Sequence, residues 1–229
     1  TLTPSDEWIS VSVEEDKMNI TLTENNTGHV RRGSIAYKAG TNEDKITITQ
    51  YDFEKDIAGE YMFLFTNADS GALQYLDATL SKTGNAYSIE LTGLGFSIPV
   101  TYNKTNGDLT LKAGQYIGDY DAYKVHTTLW DTKEGYLTWD TSISMSGSFE
   151  YVEEDGVGYT IALIEDDGSW GSYHPDAIRL EAFKSTTLSS STRVGSLLSL
   201  IDPYLQRAHA GEAITYKMAK TPVKANVEF

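Results

Sequence analysis

The chain has no cysteine, which removes disulfides, thiolate nucleophiles and thiolate metal sites together. Positive charge is scarce, with 18 Lys and Arg against 33 Asp and Glu, a formal net charge of -15 and a pI near 4.6. So acidic a chain repels phosphate backbones and anionic lipid, so nucleic acid is not an expected partner, and the acidity reads as solubility in a secreted or surface-exposed protein. No apolar run approaches the roughly 18 residues of a membrane-spanning helix, and no leader pattern opens the chain. His29, His126, His174 and His209 are scattered without H-x-H or H-E-x-x-H spacing, and a G-x-S-x-G elbow is missing. Asp119-Tyr120-Asp121 and Asp166-Asp167-Gly168 do not fit a calcium loop, and among 33 acids pairs such as Glu134 with Asp140 or Glu150 with Asp166 carry no information. The expectation is a protein that is not an enzyme, with no catalytic residue, metal or cofactor.

Short alternating segments dominate what is present. Residues 8 to 50 alternate in strand-length bursts, Trp8 to Val13, Met18 to Thr23, Gly33 to Lys38 and Lys45 to Thr49. Turn-forming residues at Glu14 to Asp16, Asn25 to Gly28 and Gly40 to Asp44 divide them. This predicts a small antiparallel β-sandwich over residues 1–52, with a boundary in the charged, aperiodic stretch Tyr51 to Ile57.

Within those strands the order Trp8-Ile9-Ser10-Val11, Asn25-Asn26-Thr27-Gly28, Arg32-Gly33-Ser34-Ile35 and Ile46-Thr47-Ile48-Thr49-Gln50 resembles the BACON domain, the Bacteroidetes-associated carbohydrate-binding, often N-terminal module. The resemblance implies glycan as partner. It also implies a cell-surface or periplasmic setting in a bacterial polysaccharide-utilisation system, in an exported lipoprotein whose lipid anchor lies outside this stretch. Trp8 itself reads as a core residue opening a strand.

From Gly59 on, about ten strands follow at short intervals. They are Tyr61 to Thr66, Leu73 to Lys82, Tyr87 to Leu91, the run through Ile98, Val100 and Tyr102, Leu109 to Gln115, Tyr123 to Trp130, Tyr136 to Thr141, Ser146 to Val152, Tyr159 to Ile164 and Ala177 to Phe183. The Asn106-Gly107-Asp108 turn is a strong hairpin signal. Without βαβ alternation the sheet is antiparallel, and so long a meander avoids exposed edges by splitting or closing. The expected outcome over residues 53–229 is an all-β, lipocalin-like barrel. Val194, Leu197, Leu198, Ile201 and Leu205 follow a helical spacing, which predicts one short helix near residues 193–209, capped by Ser191 or Thr192, kinked at Pro203 and ended by Gly211. Ile214 to Ala219 is then a last strand and Lys220 to Phe229 a tail.

The richest chemistry lies between Asp108 and Asp140, where Tyr116, Tyr120, Tyr123, Trp130, Tyr136 and Trp139 stand among acids. Aromatic rings take the C–H face of a pyranose while neighbouring carboxylates accept its hydroxyls. Alternation puts Tyr123, Val125 and Leu129 on an apolar face, leaving Lys124, His126 and Trp130 on the other. Trp139 shares a face with Leu137 and reads as core. Trp170 occupies a loop, where burial is harder to arrange. The candidate carbohydrate-binding set is therefore Trp130, Trp170, Tyr120, Asp131 and Asp167. The rival readings are a carrier of a small apolar ligand inside the barrel, or a glycoside hydrolase.

Overall fold

The computed structural model describes residues 1–15, 17–209 and 223–225. It divides into two compact units, Thr1–Ile57 and Ala58–Phe229. Both are built from strands, and apart from one π-helical turn at Phe53–Ile57 no helix is found among the described residues. None is long and apolar enough to cross a membrane.

The first unit holds two small sheets. Strands β1 (Leu2–Pro4), β4 (Arg31–Ala39) and β5 (Asn42–Gln50) form one in the order β1-β4-β5, and β2 (Ile9–Glu14) pairs with β3 (Lys17–Leu22) in the other. The four expected strands are present, and Leu2–Pro4 adds a fifth. Gly33 shows why the motif needs glycine, since a Cβ there would sit 2.8 Å from Trp8 Cζ2 and closer still to Ile9 Cδ1. At the end of the unit Asp56 is fully buried, and burial pushes its carboxyl up to about 6 against the amide of Asp52.

The second unit is one large, mostly antiparallel sheet curled into a half-barrel. Strands β6 (Gly59–Asn67), β7 (Leu73–Thr83), β8 (Ala86–Leu91), β9 (Phe96–Tyr102) and β10 (Asp108–Lys112) run as a meander. The chain continues through β11 (Tyr116–Tyr120), β12 (Tyr123–Asp131), β13 (Tyr136–Thr138), β14 (Ser144–Ser148) and β15 (Glu150–Glu154). It ends with β16 (Val157–Leu163), β17 (Glu165–Asp166), β18 (Ala177–Phe183), β19 (Arg193–Ala208) and the two-residue β20 (Val223–Lys224). β17 pairs with β14 and runs on from β16, which pairs with β19, so the curl comes round towards its own start. Phe63, Leu64 and Phe65 are all fully buried, so β6 has both faces covered as its apolar run predicts, and Phe149 and Phe183 fill more of the interior.

Three expectations are corrected. The first is the helix near residues 193–209, which is instead the 16-residue strand β19. It pairs with β18 over Arg193–Ile201, with β6 over Leu200–Gln206 and with β16 over Tyr204–Ala208. Irregularities interrupt the pairing with β18 beyond Leu180 and the pairing with β6 between Ile201 and Tyr204, where Asp202 takes φ 49° and Pro203 offers no N–H. Each interruption resets the two-residue alternation, and the apolar positions then mimic a helical period. The second concerns the stretch Gly118 to Asp121, which composition marks as a divider between strands, since only Asp121 falls in the turn and Gly118 lies inside β11. Gly118 adopts φ 151°, and a Cβ on it would lie 2.9 Å from the Phe96 ring, so glycine is what lets β11 lie against β9. The third concerns the tail, since Val223–Lys224 pairs in parallel with Gln74 and Tyr75. The expected strand at Ile214 to Ala219 and the stop at Gly211 fall outside the described residues.

Candidate functional site

One end of β12 collects most of the sequence-selected residues. Trp130 pairs across the sheet with Leu137 of β13 and Ala177 of β18. Beyond it the chain turns back, and Gly135 N–H donates to the Asp131 carbonyl at 2.8 Å. The loop from β17 to β18 folds onto the same end, since Asp176 N–H donates to the Trp130 carbonyl at 3.1 Å. The backbone N–H and the hydroxyl of Thr132 in turn donate to the Asp176 carboxylate, the former at 2.9 Å.

Three rings, tilted to one another by 44° and 58°, pack into a ledge at this end. Trp170 and Tyr173 have centroids 5.0 Å apart, and Tyr173 and Tyr136 are 4.8 Å apart. Tyr136 is 54% exposed, and the other two are half-buried. Beside the ledge His174 Nδ1 pairs with Asp166 Oδ2 at 2.7 Å, and a cavity of about 240 Å³ lies against His174, Asp176, Asp202 and Pro203. Tyr136 stood in the aromatic stretch without being selected. Tyr173 and His174 lie outside the sequence-derived set, and the signal for them is that Tyr173 follows Trp170 by three positions in an Asp-, Gly- and Ser-rich loop.

Trp130 is held differently. The Arg179 guanidinium carbon lies 4.9 Å from its ring centroid, so one face of the indole is taken. Arg179 Nε also lies 3.2 Å from Glu181, whose carboxylate receives two bonds from Arg193, at 2.6 Å from Nε and 3.0 Å from a terminal nitrogen. Glu181 is fully buried, and its bonds raise the Arg193 pKa, while burial lowers that of Arg179. The polar face expected around His126 is also covered. His126 is buried between Tyr116 at 5.4 Å and Phe183 at 5.6 Å, and Trp139 packs edge-on to Phe183 at 5.9 Å. Burial pushes the His126 pKa down. Alternation implies one apolar and one polar face, but Val125 to Leu129 are all buried because aromatic neighbours close the second face.

The two aspartates are engaged. Asp131 is 2% exposed, and its carboxylate accepts from the amides of Glu134 at 2.9 Å and His174 at 3.0 Å. The amides of His174 and Glu134 hold that carboxyl below the usual range. Asp131 thus ties the hairpin to the Trp170 loop and is not an exposed acceptor for sugar hydroxyls. Burial raises the Asp167 carboxyl, but bonds from Ser144, Ser169 and Ser146 outweigh it and hold it low. Ser144 Oγ donates to it at 2.6 Å and the Ser169 amide at 3.0 Å. Tyr120 is not brought to this end. It pairs with Tyr123, seven residues along β12 from Trp130, or about 23 Å at strand rise. Trp130, Asp131, Asp167 and Trp170 therefore form a neighbourhood without Tyr120.

In the first unit the motif residues hold one another. The Arg31 guanidinium carbon lies 4.4 Å over the Trp8 ring, and its Nε donates to Gln50 at 2.8 Å. Gln50 donates to the Thr23 carbonyl at 3.1 Å, and Asn25 is linked to Thr27 and the His29 carbonyl. These contacts account for the motif by the packing of the unit.

Comparison with known families gives two matches. A family named DUF4987, described as a domain of unknown function, matches residues 40–169. BACON, described as "Putative binding domain, N-terminal", matches residues 1–51. No curated protein and no solved structure gives a significant match.

Proposed function

We propose that this chain, which belongs to the DUF4987 family, is a non-catalytic carbohydrate-binding or accessory protein of a bacterial polysaccharide-utilisation system, exported to the periplasm or cell surface. The BACON match over residues 1–51 supports a carbohydrate-binding or surface-associated role. In this reading the first unit is a sandwich module and the second a lipocalin-like half-barrel that presents the binding surface. A lipid anchor beyond this stretch would tether the protein.

The observation that carries the reading is the ledge of Tyr136, Tyr173 and Trp170, with ring spacings of 4.8 and 5.0 Å. Aromatic rings so arranged offer a pyranose its C–H contacts, and Asp166 and His174 stand beside them for the hydroxyls. Binding without chemistry is favoured because Asp131 and Asp167 already accept several bonds each, which holds them ionised and leaves neither poised as an acid. An apolar carrier has less behind it, since Phe63, Phe65 and Phe149 fill the interior.

A glycan array followed by titration of the best polysaccharide tests the reading. Tyr136→Ala and Trp170→Ala are expected to weaken binding about tenfold each, a loss of about 1.4 kcal/mol. Unchanged affinity in both variants would remove the ledge as the site, and release of reducing sugar from the panel would remove the non-catalytic assignment.

A further inference from the structure

A second surface lies where the half-barrel bends. β14 gives way to β15 at Phe149, and β16 gives way to β17 at Ile164, so two strand pairs meet at a corner. Their outer side encloses a groove of about 590 Å³. Gly147 makes it possible, because a Cβ there would fall on the Leu163 carbonyl oxygen and force β14 away from β16.

The lining has two chemical parts. Its bed is aliphatic, made by Val152, Ile161 and Leu163, and Val152 and Leu163 are 37% and 53% exposed. Its rim carries the carboxylates of Asp108, Glu150, Glu165, Asp166 and Asp167, with no Lys or Arg among the lining residues. Ser148 donates to Asp108, and Ser144 and Ser146 donate to Asp167 at 2.6 and 3.1 Å, so both carboxylates are held in orientation. Val152 and Leu163 give the groove an apolar bed that a partner's aliphatic side chains could cover.

The two parts select an occupant. An anionic partner is repelled by five carboxylates, whereas Lys or Arg side chains are attracted to them. Pyranose rings stack on aromatic faces, and the lining has no aromatic residue, while branched aliphatic side chains match Leu, Ile or Val on a partner. We infer that this corner groove docks a basic, aliphatic-bearing polypeptide segment of a partner protein. The groove shares Asp166 with the surroundings of the glycan ledge but uses none of its three rings.

The test uses the full chain and a fluorescein-labelled peptide alternating Lys and Leu, with a Lys-Gly peptide and a de-N-acetylated glucosamine oligomer as comparison probes. Fluorescence anisotropy at low salt is expected to show saturable binding of the Lys-Leu peptide at least fivefold tighter than Lys-Gly. Leu163→Ser and Glu165→Gln, at exposed positions where the melting temperature is expected to stay unchanged, are each expected to weaken it at least threefold. Equal binding of both peptides would reduce the effect to bulk attraction by a chain of net charge -15 and overturn the inference. So would an absence of binding, indifference to both substitutions, or tighter binding of the glucosamine oligomer.

Discussion

Trp130 and Trp170 are both half-buried indoles at the same end of the second unit, yet they are held by opposite means. Trp130 sits on a strand, and a cation anchored by a buried carboxylate covers one of its faces. Trp170 sits in a loop and touches Tyr173, through which it joins an exposed third ring. Equal burial therefore conceals unequal availability. What decides whether an aromatic ring can serve a ligand is what already lies against it, and here a cation lies over the strand indole while the loop indole meets a tyrosine ring.

The contrast can be broken at its anchor first. Removing the Glu181 carboxylate by Glu181→Ala strands Arg179 and Arg193, and is expected to cost about 3–5 kcal/mol in urea denaturation. A cost under about 1 kcal/mol would mean that Trp130 is not pinned through this network. Next, Trp130→Ala is expected to lose about 2 kcal/mol of stability, less than a fully buried Trp because the ring is only half-covered, with glycan affinity changed less than twofold. For Trp170→Ala the order reverses, with glycan affinity falling about tenfold and stability changing by less than about 1 kcal/mol.

The smallest effect concerns Asp131, which ties the two regions together through the amides of Glu134 and His174. Its folded pKa is lowered, so its contribution is present above the unfolded value of 3.8 and is lost as pH falls through the folded one. Asp131→Asn should therefore melt a little below the parent at neutral pH, and the two curves should converge in acid. A constant difference across the range would show that the Asn change acts through shape and not through charge.

Most strands of this fold were legible because period-two alternation survives wherever one face meets the core. Leu76, Ala78 and Leu80 of β7 and Ile98, Val100 and Tyr102 of β9 are buried as their spacing implies. β19 was not legible, because its interrupted pairings let apolar residues of both parities turn inward, a pattern shared with a helix. The site was legible in part. Spacing placed Trp170 in an open loop, but no local pattern reports that Arg179, 49 positions downstream of Trp130, comes to rest on its ring. Nor could spacing reveal that Asp131 would be consumed by the amide of His174, a partner 43 residues away. Long-range contacts of this kind belong to the tertiary structure alone.

β19 sets the tempo at which the second unit can be made. It is the shared partner of β6, β16 and β18, and its ladder with β6 joins segments at opposite ends of the unit. At ordinary synthesis speeds β6 waits on the order of ten seconds for that neighbour to emerge, with one rim of amides and carbonyls unmet. A nascent chain in that interval is exposed to mispairing with other chains, and a stop just before Arg193 would leave β6, β16 and β18 each with one edge unpaired. The long-distance closure that completes the half-barrel also makes it a slow and vulnerable object to assemble.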